Sequence, residues 1–314
     1  MKIASFEDIK AAFDFGAAQH AITQAFIAHS AGKVNTPPVG YLSFKNPPGD
    51  MHLKYGHIEG DNVFVVKLAT GFYENPKRGL PSSNGLMMVI SAETGEPLML
   101  LQDEGYLTDM RTAIAGAIAT AALTPRDILS VGIIGTGIQA RLQLECLHKL
   151  RPIDSTYVWG RSQASAEAYI KEMAAKGIHV TAANSPQHIC DLANTIITTT
   201  PSTKPLLMEN WIKNGTHITA VGADAPGKQE LDANIFERAT LTVCDSKQQC
   251  LHHGEMSYAQ EHTFTDSNSM ELGQLLADNS KFKRQKEDLT IADLTGIAAQ
   301  DIAIAKSVWE RLSA

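Results

Sequence analysis

Ser130-Val131-Gly132-Ile133-Ile134-Gly135-Thr136-Gly137-Ile138-Gln139-Ala140 decides the fold. Val131 to Ile134 is a short, mostly apolar run of the kind that forms a buried parallel strand. The pattern Gly135-x-Gly137-x-x-Ala140 follows at once, and Arg141 to Leu147 then spaces its apolar residues as a helix does. Strand, glycine turn and helix together are the setting in which this pattern marks a dinucleotide site. Gly135 permits the tight turn, and Gly137, lacking Cβ, lets the backbone approach a pyrophosphate. Ala140 is small enough for close packing of helix on strand. The helix start offers unpaired N–H groups and the positive end of its dipole to the phosphates. Cofactor contacts are therefore expected from Gly135, Thr136, Gly137, Ile138 and Gln139. The plain alternative is an ordinary glycine-rich turn.

Downstream of this stretch the rhythm stays β/α. Strands are expected at 156–159, 178–181, 195–200, 217–221 and 241–245, with helices at 164–176 and 189–194 between them. Such alternation gives a doubly wound parallel sheet covered by helices on both faces, a Rossmann-type α/β domain. Upstream the pattern differs. Residues 5–31 carry amphipathic spacing for two helices with a break near Gly16, and Thr36-Pro37-Pro38 and Asn46-Pro47-Pro48-Gly49 punctuate loops. Strands are expected at 51–55, 63–69, 85–91 and 97–101, the last two joined by a hairpin at Glu93-Thr94-Gly95-Glu96. An Ala-rich helix over 107–123 ends at Thr124-Pro125-Arg126-Asp127, and 297–312 is helical again. The domain reading is 1–118 together with 297–314 as an α+β substrate and dimerisation domain, and 119–296 as the dinucleotide domain.

Composition narrows the function. The chain has 314 residues, 44% hydrophobic, with a net charge of −7 and no long like-charge block, which argues against a dedicated nucleic-acid binder. No apolar run approaches the roughly 18 residues of a membrane span. Residues 1–8 carry acids early and lack a signal-peptide core. Cys146, Cys190, Cys244 and Cys250 form no C-x-x-C pair, so reduced thiols in the cytoplasm are expected.

The second expected strand ends in Trp159-Gly160-Arg161-Ser162, with no acid where NAD sites usually hold the ribose hydroxyls. Arg161 and Ser162 suit a 2′-phosphate, so NADPH is favoured and NADH remains open. The alternative is a solvated Arg161. His252-His253-Gly254-Glu255 has no third ligand at a matching spacing, so these are read as surface polar residues and no metal is expected.

Several segments, in order, give a more specific pointer than the glycine pattern alone: Lys67, Asp109-Met110-Arg111-Thr112-Ala113, Gly135 to Ala140, Val221-Gly222-Ala223-Asp224-Ala225-Pro226-Gly227-Lys228-Gln229-Glu230-Leu231, and Leu294-Thr295-Gly296-Ile297-Ala298-Ala299-Gln300-Asp301. On these the chain resembles the ornithine cyclodeaminase/μ-crystallin family over nearly its full length. The resemblance implies a substrate and dimerisation domain built from both chain ends and interrupted by a Rossmann domain, and a homodimer. It implies ornithine cyclodeaminase, alanine dehydrogenase, imine reductase or hormone-binding crystallin activity. It extends the cofactor contacts to Thr112, Thr199, Val221 and Gly296.

Lys67 lies inside the apolar run Val63 to Leu68, where a charge must be paired or line a site. Arg111 offers a donor fork that suits a carboxylate. The resemblance implies that both hold the substrate carboxylate; structural salt bridges are the alternative. Asp224 follows an expected strand at the sheet's carboxyl edge, and the resemblance implies that it handles the proton of the reacting amine. Its alternative is a turn Asp binding loop N–H groups. The chain departs from the family in two places. Val39 stands where members often carry a carboxylate-binding Arg, and Lys54 near where cyclodeaminases carry an acid. A cation there repels a substrate's second ammonium, and Lys45 or Lys54 is a candidate to replace the missing Arg. The expectation is an NAD(P)H-dependent reductase of an imino acid, Δ1-pyrroline-2-carboxylate or iminosuccinate, with Lys67, Arg111 and Asp224 catalytic and Lys54 substrate-binding. Ornithine cyclodeaminase and a crystallin-like binding protein are the alternatives.

Overall fold

A computed structural model describes residues 1–72, 74–125, 129–260 and 263–314. Arg126 and Asp127, expected to end the Ala-rich helix, lie outside the described residues. The chain divides into two compact units, Met1–Thr112 with Ile297–Ala314, and Ala113–Gly296. The first division falls inside the Ala-rich helix, earlier than the 118/119 boundary read from sequence.

The first unit opens with β1 (Lys2–Ala4), α1 (Phe6–Ala12) and α2 (Phe15–Ser30). The helix break expected near Gly16 falls at residues 13–14, where Asp14 caps α2 by accepting the Ala17 N–H at 2.7 Å. Next come β2 (Val34–Asn35), β3 (Gly40–Lys45), β4 (Pro48–Ile58), β5 (Val63–Phe72), β6 (Ser83–Ser91), β7 (Pro97–Leu101) and α3 (Tyr106–Leu123). The strands run β1-β7-β6-β5-β4-β2, with β3 on β4. Every pairing is antiparallel except β1 on β7. Alternation along β5 buries Val63, Val65 and Lys67, so the lysine shares a face with core valines.

The second unit is the parallel sheet that the glycine stretch announced. Its elements are β8 (Leu129–Ile134), α4 (Ile138–Leu150), β9 (Ile153–Trp159), α5 (Gln163–Ala175), β10 (Thr181–Ala182), α6 (Pro186–Leu192) and β11 (Thr195–Thr198). They continue with β12 (Thr203–Leu207), β13 (His217–Ala220), β14 (Gln229–Leu231), α7 (Asn234–Arg238), β15 (Leu241–Cys244) and α8 (Lys247–His253). β16 (Ser269–Glu271), α9 (Leu272–Ala277) and β17 (Thr290–Asp293) complete it. The order is β10-β9-β8-β11-β13-β17-β15-β16, parallel throughout. Two expectations need correction. The strand read at 178–181 shrinks to an edge pair, because an edge strand has one neighbour and only Thr181 and Ala182 reach β9. β17, absent from the sequence reading, sits mid-sheet between β13 and β15. Its four residues form a buried run too short for periodicity to distinguish.

The chain then re-enters the first unit as α10 (Ala298–Ser313), which packs on α2, β4 and β5. Ile302, Ile304 and Val308 are buried there, alongside Ile22 and Phe26 of α2. Burying each such side chain contributes about 1.5–3 kcal/mol. Among the described residues no helix is long and apolar enough to cross a membrane.

Candidate functional site

In the first unit, a strand and a helix bring cations to one acid on a second helix. Lys67 is on β5, Arg111 on α3 and Asp301 in the first turn of α10. Lys67 Nζ lies 2.8 Å from Asp301 Oδ1, and Arg111 Nε lies 3.1 Å from the same oxygen. Arg111 also donates to Gln300 Oε1 at 2.8 Å. Asp301 is 2% exposed, so these are interior charges. A helix's first turn favours a carboxylate, which helps to place Asp301. Lys54 on β4 pairs directly across from Lys67. Like charges opposite one another on a sheet repel, so the two lysines need a shared counter-ion.

Burial pushes the Lys67 ammonium down to about 7; the Asp301 charge opposes that shift, while Arg111 and Lys54 add to it. Burial alone would raise Asp301, but Lys67, Arg111 and Lys54 outweigh it and hold the carboxyl below its usual range. Asp103 adds a second buried acid nearby. It accepts the Leu107 N–H at 2.9 Å at the start of α3, and burial raises its carboxyl. Lys67, Arg111 and Lys54 thus gather near the buried acids Asp301 and Asp103, and such donors suit a carboxylate. Val39 is exposed in the loop before β3, and Lys45 is exposed at the β3–β4 hairpin tip, so of the two candidate lysines Lys54 is the one opposite Lys67. Thr112 Oγ1 donates to the Thr108 carbonyl within α3. Sequence reasoning assigned no role to Asp301 or Gln300, although both stood in a quoted segment.

In the second unit the glycine turn has the expected geometry. Gly135 has φ +121°, and a Cβ there would come within 2.6 Å of Thr199 Oγ1, so both conformation and space demand glycine. Gly137 caps α4 with no side-chain hydrogen bond, and a Cβ on it would meet nothing within 4 Å. Arg141 donates to the carbonyls of Thr136 and Gly137 and fixes the turn. Ile138 is exposed, Gln139 is half-buried and Ala140 is buried. An uncapped helix start beside open space fits a dinucleotide pyrophosphate. Gly135, Thr136, Gly137, Ile138 and Gln139 are the residues that would hold it.

Past β9, Arg161 is exposed and makes no ion pair among the described residues. Ser162 caps α5 by accepting the Ser165 N–H at 3.2 Å, so its hydroxyl already has a structural task. The other expected cofactor residues fall at the sheet's carboxyl edge. Thr199 donates to the Ile134 carbonyl at 3.2 Å, Val221 is buried just after β13, and the Gly296 N–H donates to Asp245 Oδ2 at 2.6 Å. Asp224 sits in the loop after β13, exposed, with its carboxylate 2.5 Å from Lys228 Nζ. Among the described residues its partner is a lysine four residues on rather than a loop N–H group.

Buried acids tie these edge loops together. Glu230 accepts from Thr198 Oγ1, Thr200 N and Gly222 N. Glu255 accepts the Glu230 and Leu231 N–H groups, and Asp293 accepts that of Met256. Burial pushes Glu230 up to about 7, against its hydrogen bonds; Glu255 up to about 9, with help from the Asp293 charge; and Asp293 up to about 7. The reading of His252–Glu255 as surface residues is thus corrected: His252 is exposed, but Glu255 is fully buried because two backbone N–H groups need an acceptor there. Among the described residues no group of three or more His, Cys, Asp or Glu could hold a metal ion.

The sequence model of the ornithine cyclodeaminase/mu-crystallin family matches residues 1–314. The chain belongs to that family. Within it, the chain is 40% identical over 296 residues to the putative dehydrogenase RB0419 of Rhizobium meliloti, covering 93% of this chain and 90% of the relative. It is 34% identical over 306 residues to an alanine dehydrogenase of Archaeoglobus fulgidus, covering 97% and 92%. Among solved structures of the fold, the Thermococcus litoralis Δ1-pyrroline-2-carboxylate reductase in complex with NADH and L-proline superposes with a TM-score of 0.91 at 27% identity, covering 100% of this chain and 98% of that one. The iminosuccinate reductase of Paracoccus denitrificans in complex with NAD⁺ superposes with a TM-score of 0.89 at 26% identity, covering 100% and 96%.

Proposed function

We propose that this protein is an NAD(P)H-dependent reductase that converts an imino acid, a cyclic imine such as Δ1-pyrroline-2-carboxylate or an acyclic one such as iminosuccinate, into an L-amino acid. The observation that carries the reading is that Lys67 and Arg111 both meet the buried Asp301 carboxylate, with Lys54 opposite Lys67 on the sheet. Such a cluster of lysine and arginine donors suits a substrate that brings its own carboxylate. Lys54 also disfavours a diamino acid, because its charge repels a second ammonium. Its extra charge favours a dicarboxylate over a monocarboxylate.

Arg111 and Lys67 bind the substrate carboxylate, Arg111 through its rigid fork and Lys67 as a point charge. A Lys67 ammonium already lowered to about 7 also gives up a proton readily, so it is suited to acid–base work. Asp224 stabilises the iminium and manages the nitrogen's proton, leaving Lys228 for the cationic substrate. When bound, the nicotinamide cofactor supplies the hydride to the imine carbon. The glycine turn binds its pyrophosphate, Thr112, Thr199, Val221 and Gly296 contact it, and Arg161 with Ser162 favours NADPH over NADH. The overall change consumes one imine, one reduced cofactor and one proton, and yields one amine and one oxidised cofactor.

We also propose a homodimer in the cytoplasm. The exposed apolar side chains Tyr41, Leu42 and Phe44 of β3 support the first, together with an archaeal alanine dehydrogenase dimer with bound NAD at 33% identity and a TM-score of 0.90. Four unpaired, buried cysteines suit a reducing compartment.

The test is NADPH oxidation against a panel of Δ1-pyrroline-2-carboxylate and iminosuccinate, run beside ammonia release from L-ornithine. Imine reduction in the wild type, lost by about 10²–10⁴ in Asp224→Asn with cofactor binding retained, supports the proposal. Ammonia release from ornithine without net cofactor consumption overturns it in favour of a cyclodeaminase. Binding without turnover in either assay overturns it in favour of a ligand-binding protein.

A further inference from the structure

Glu230 is fully buried on β14, a short strand paired only with β12. Its carboxylate reaches out of that strand to two other segments. Oε1 accepts the Thr200 N–H at 2.6 Å; Oε2 accepts the Thr198 hydroxyl at 2.7 Å and the Gly222 N–H at 2.9 Å. Thr198 and Thr200 bracket the end of β11, and Gly222 begins the loop that leaves β13. Neither loop has room to drift: a Cβ on Gly222 would come within 2.2 Å of the Thr200 carbonyl and 2.5 Å of Glu230 Oε2. The acid is itself held from behind, because Glu255 accepts the Glu230 N–H at 2.6 Å and the Leu231 N–H at 3.1 Å. One carboxylate thus satisfies backbone donors from two loops just past the last β11–β13 contact, where the Val221 N–H donates to the Thr198 carbonyl at 3.0 Å.

We propose that Glu230 is a positioning residue that locks the loops after β11 and β13 together and thereby sets where Asp224, two residues beyond Gly222, presents its carboxylate. The inference rests on the role given to Asp224 above and adds to it the group that places it. A carboxylate is required rather than an amide. Glutamine offers one acceptor oxygen, so in either orientation its NH₂ group meets a backbone N–H, and one loop loses its anchor. The carboxylate's partners are Thr198, Thr200 and Gly222, none of which is assigned here to substrate or cofactor. Its effect therefore falls on turnover rather than on carboxylate binding, which belongs to Lys67 and Arg111.

The experiment compares the wild type, Glu230→Gln, Thr198→Val and Asp224→Asn by amide hydrogen exchange of peptides covering 199–203 and 221–228, and by kcat and KM for NADPH-dependent imine reduction. Glu230→Gln is expected to raise exchange in one or both peptides and to lower kcat by about tenfold or more, with KM for the imine held within about twofold. Thr198→Val removes one hydroxyl donor with little change of shape and is expected to move both readouts the same way by less. Unchanged exchange overturns the bracing. Raised exchange with unchanged kcat reduces Glu230 to a structural residue and overturns the proposal. If Glu230→Gln does not fold, Thr198→Val decides, and wild-type exchange and kcat in it overturn the inference. Full turnover in Asp224→Asn instead removes Asp224 from the chemistry, and with it the catalytic half of this inference, while the bracing is still judged by exchange alone.

Discussion

Asp301→Asn tests the charge cluster most directly, because it keeps the side chain's shape and removes only the counter-ion. Two cations meet one oxygen of Asp301, at 2.8 Å and 3.1 Å. At an effective dielectric of about 20 those contacts correspond to gross attractions of about 6 and about 5 kcal/mol. Desolvation of the ions offsets most of that sum, and removing one member of a buried pair typically costs about 3–5 kcal/mol, because the remaining charge is left uncompensated. The two cations respond differently. Arg111 stays charged, so its share is paid in full. Lys67, already lowered to about 7 by burial, sheds its proton once Asp301 no longer opposes the shift. A lysine whose folded pKa lies below its unfolded value binds fewer protons folded than unfolded over the window between them, so stability rises with pH there. With its pKa lowered further, the variant suffers most on the acid side of that window. Urea unfolding of wild type and variant at about pH 6 and about pH 9 is therefore expected to give a loss near the upper figure at the first and near the lower at the second. A loss below about 1 kcal/mol at both, or a larger loss at the alkaline pH, would refute the cluster as described.

Three further outcomes follow from the proposed site. Arg161→Ala is expected to weaken NADPH binding while leaving NADH nearly untouched, measured by fluorescence titration; equal losses for both cofactors would remove Arg161 from 2′-phosphate recognition. Arg111→Ala is expected to cost substrate binding about 2–5 kcal/mol, read as a raised KM for the imine, with cofactor affinity unchanged; an unaltered KM would take Arg111 out of the carboxylate site. Affinity for a carboxylate ligand is expected to fall as pH rises through about 7, where Lys67 loses its charge, and Lys67→Arg should flatten that dependence; an identical profile in the variant would assign the titration to another group.

The parts of this molecule legible in its sequence are those whose signal is local. The turn at Gly135 declares itself because backbone conformation, strand and helix all lie within a dozen residues. Lys67 stands out because a cation interrupts an apolar strand. Its partner does not, because Asp301 sits on a helix at the far end of the chain and looks like any acid in a first helical turn. Glu230 and Glu255 were illegible for a related reason: each is buried only because backbone N–H groups from other segments need an acceptor, and no spacing pattern records that demand. The pair His252-His253 drew attention to the wrong residue of its segment, since the neighbouring Glu255 is the one the interior uses. β17 escaped because a four-residue strand with a polar residue at each end carries no periodicity of its own.

The second unit is one unbroken stretch of chain, while the first is written in two instalments, and its closing helix is made after the whole second unit. Domains generally fold as they are synthesised, the earlier ones first. Here the earlier segment must wait. Gln300, the partner of Arg111, follows it by 189 positions, and Asp301 comes one residue later. Until the ribosome has passed that point, Lys67 and Arg111 lack the Asp301 carboxylate, and the face of β4 and β5 that receives α10 has no cover. The Rossmann unit can complete itself in the meantime. The residues assigned here to bind the substrate's carboxylate are therefore assembled only after the Rossmann unit has been synthesised, and a chain cut before Ile297 would carry a finished cofactor fold without the Asp301 carboxylate.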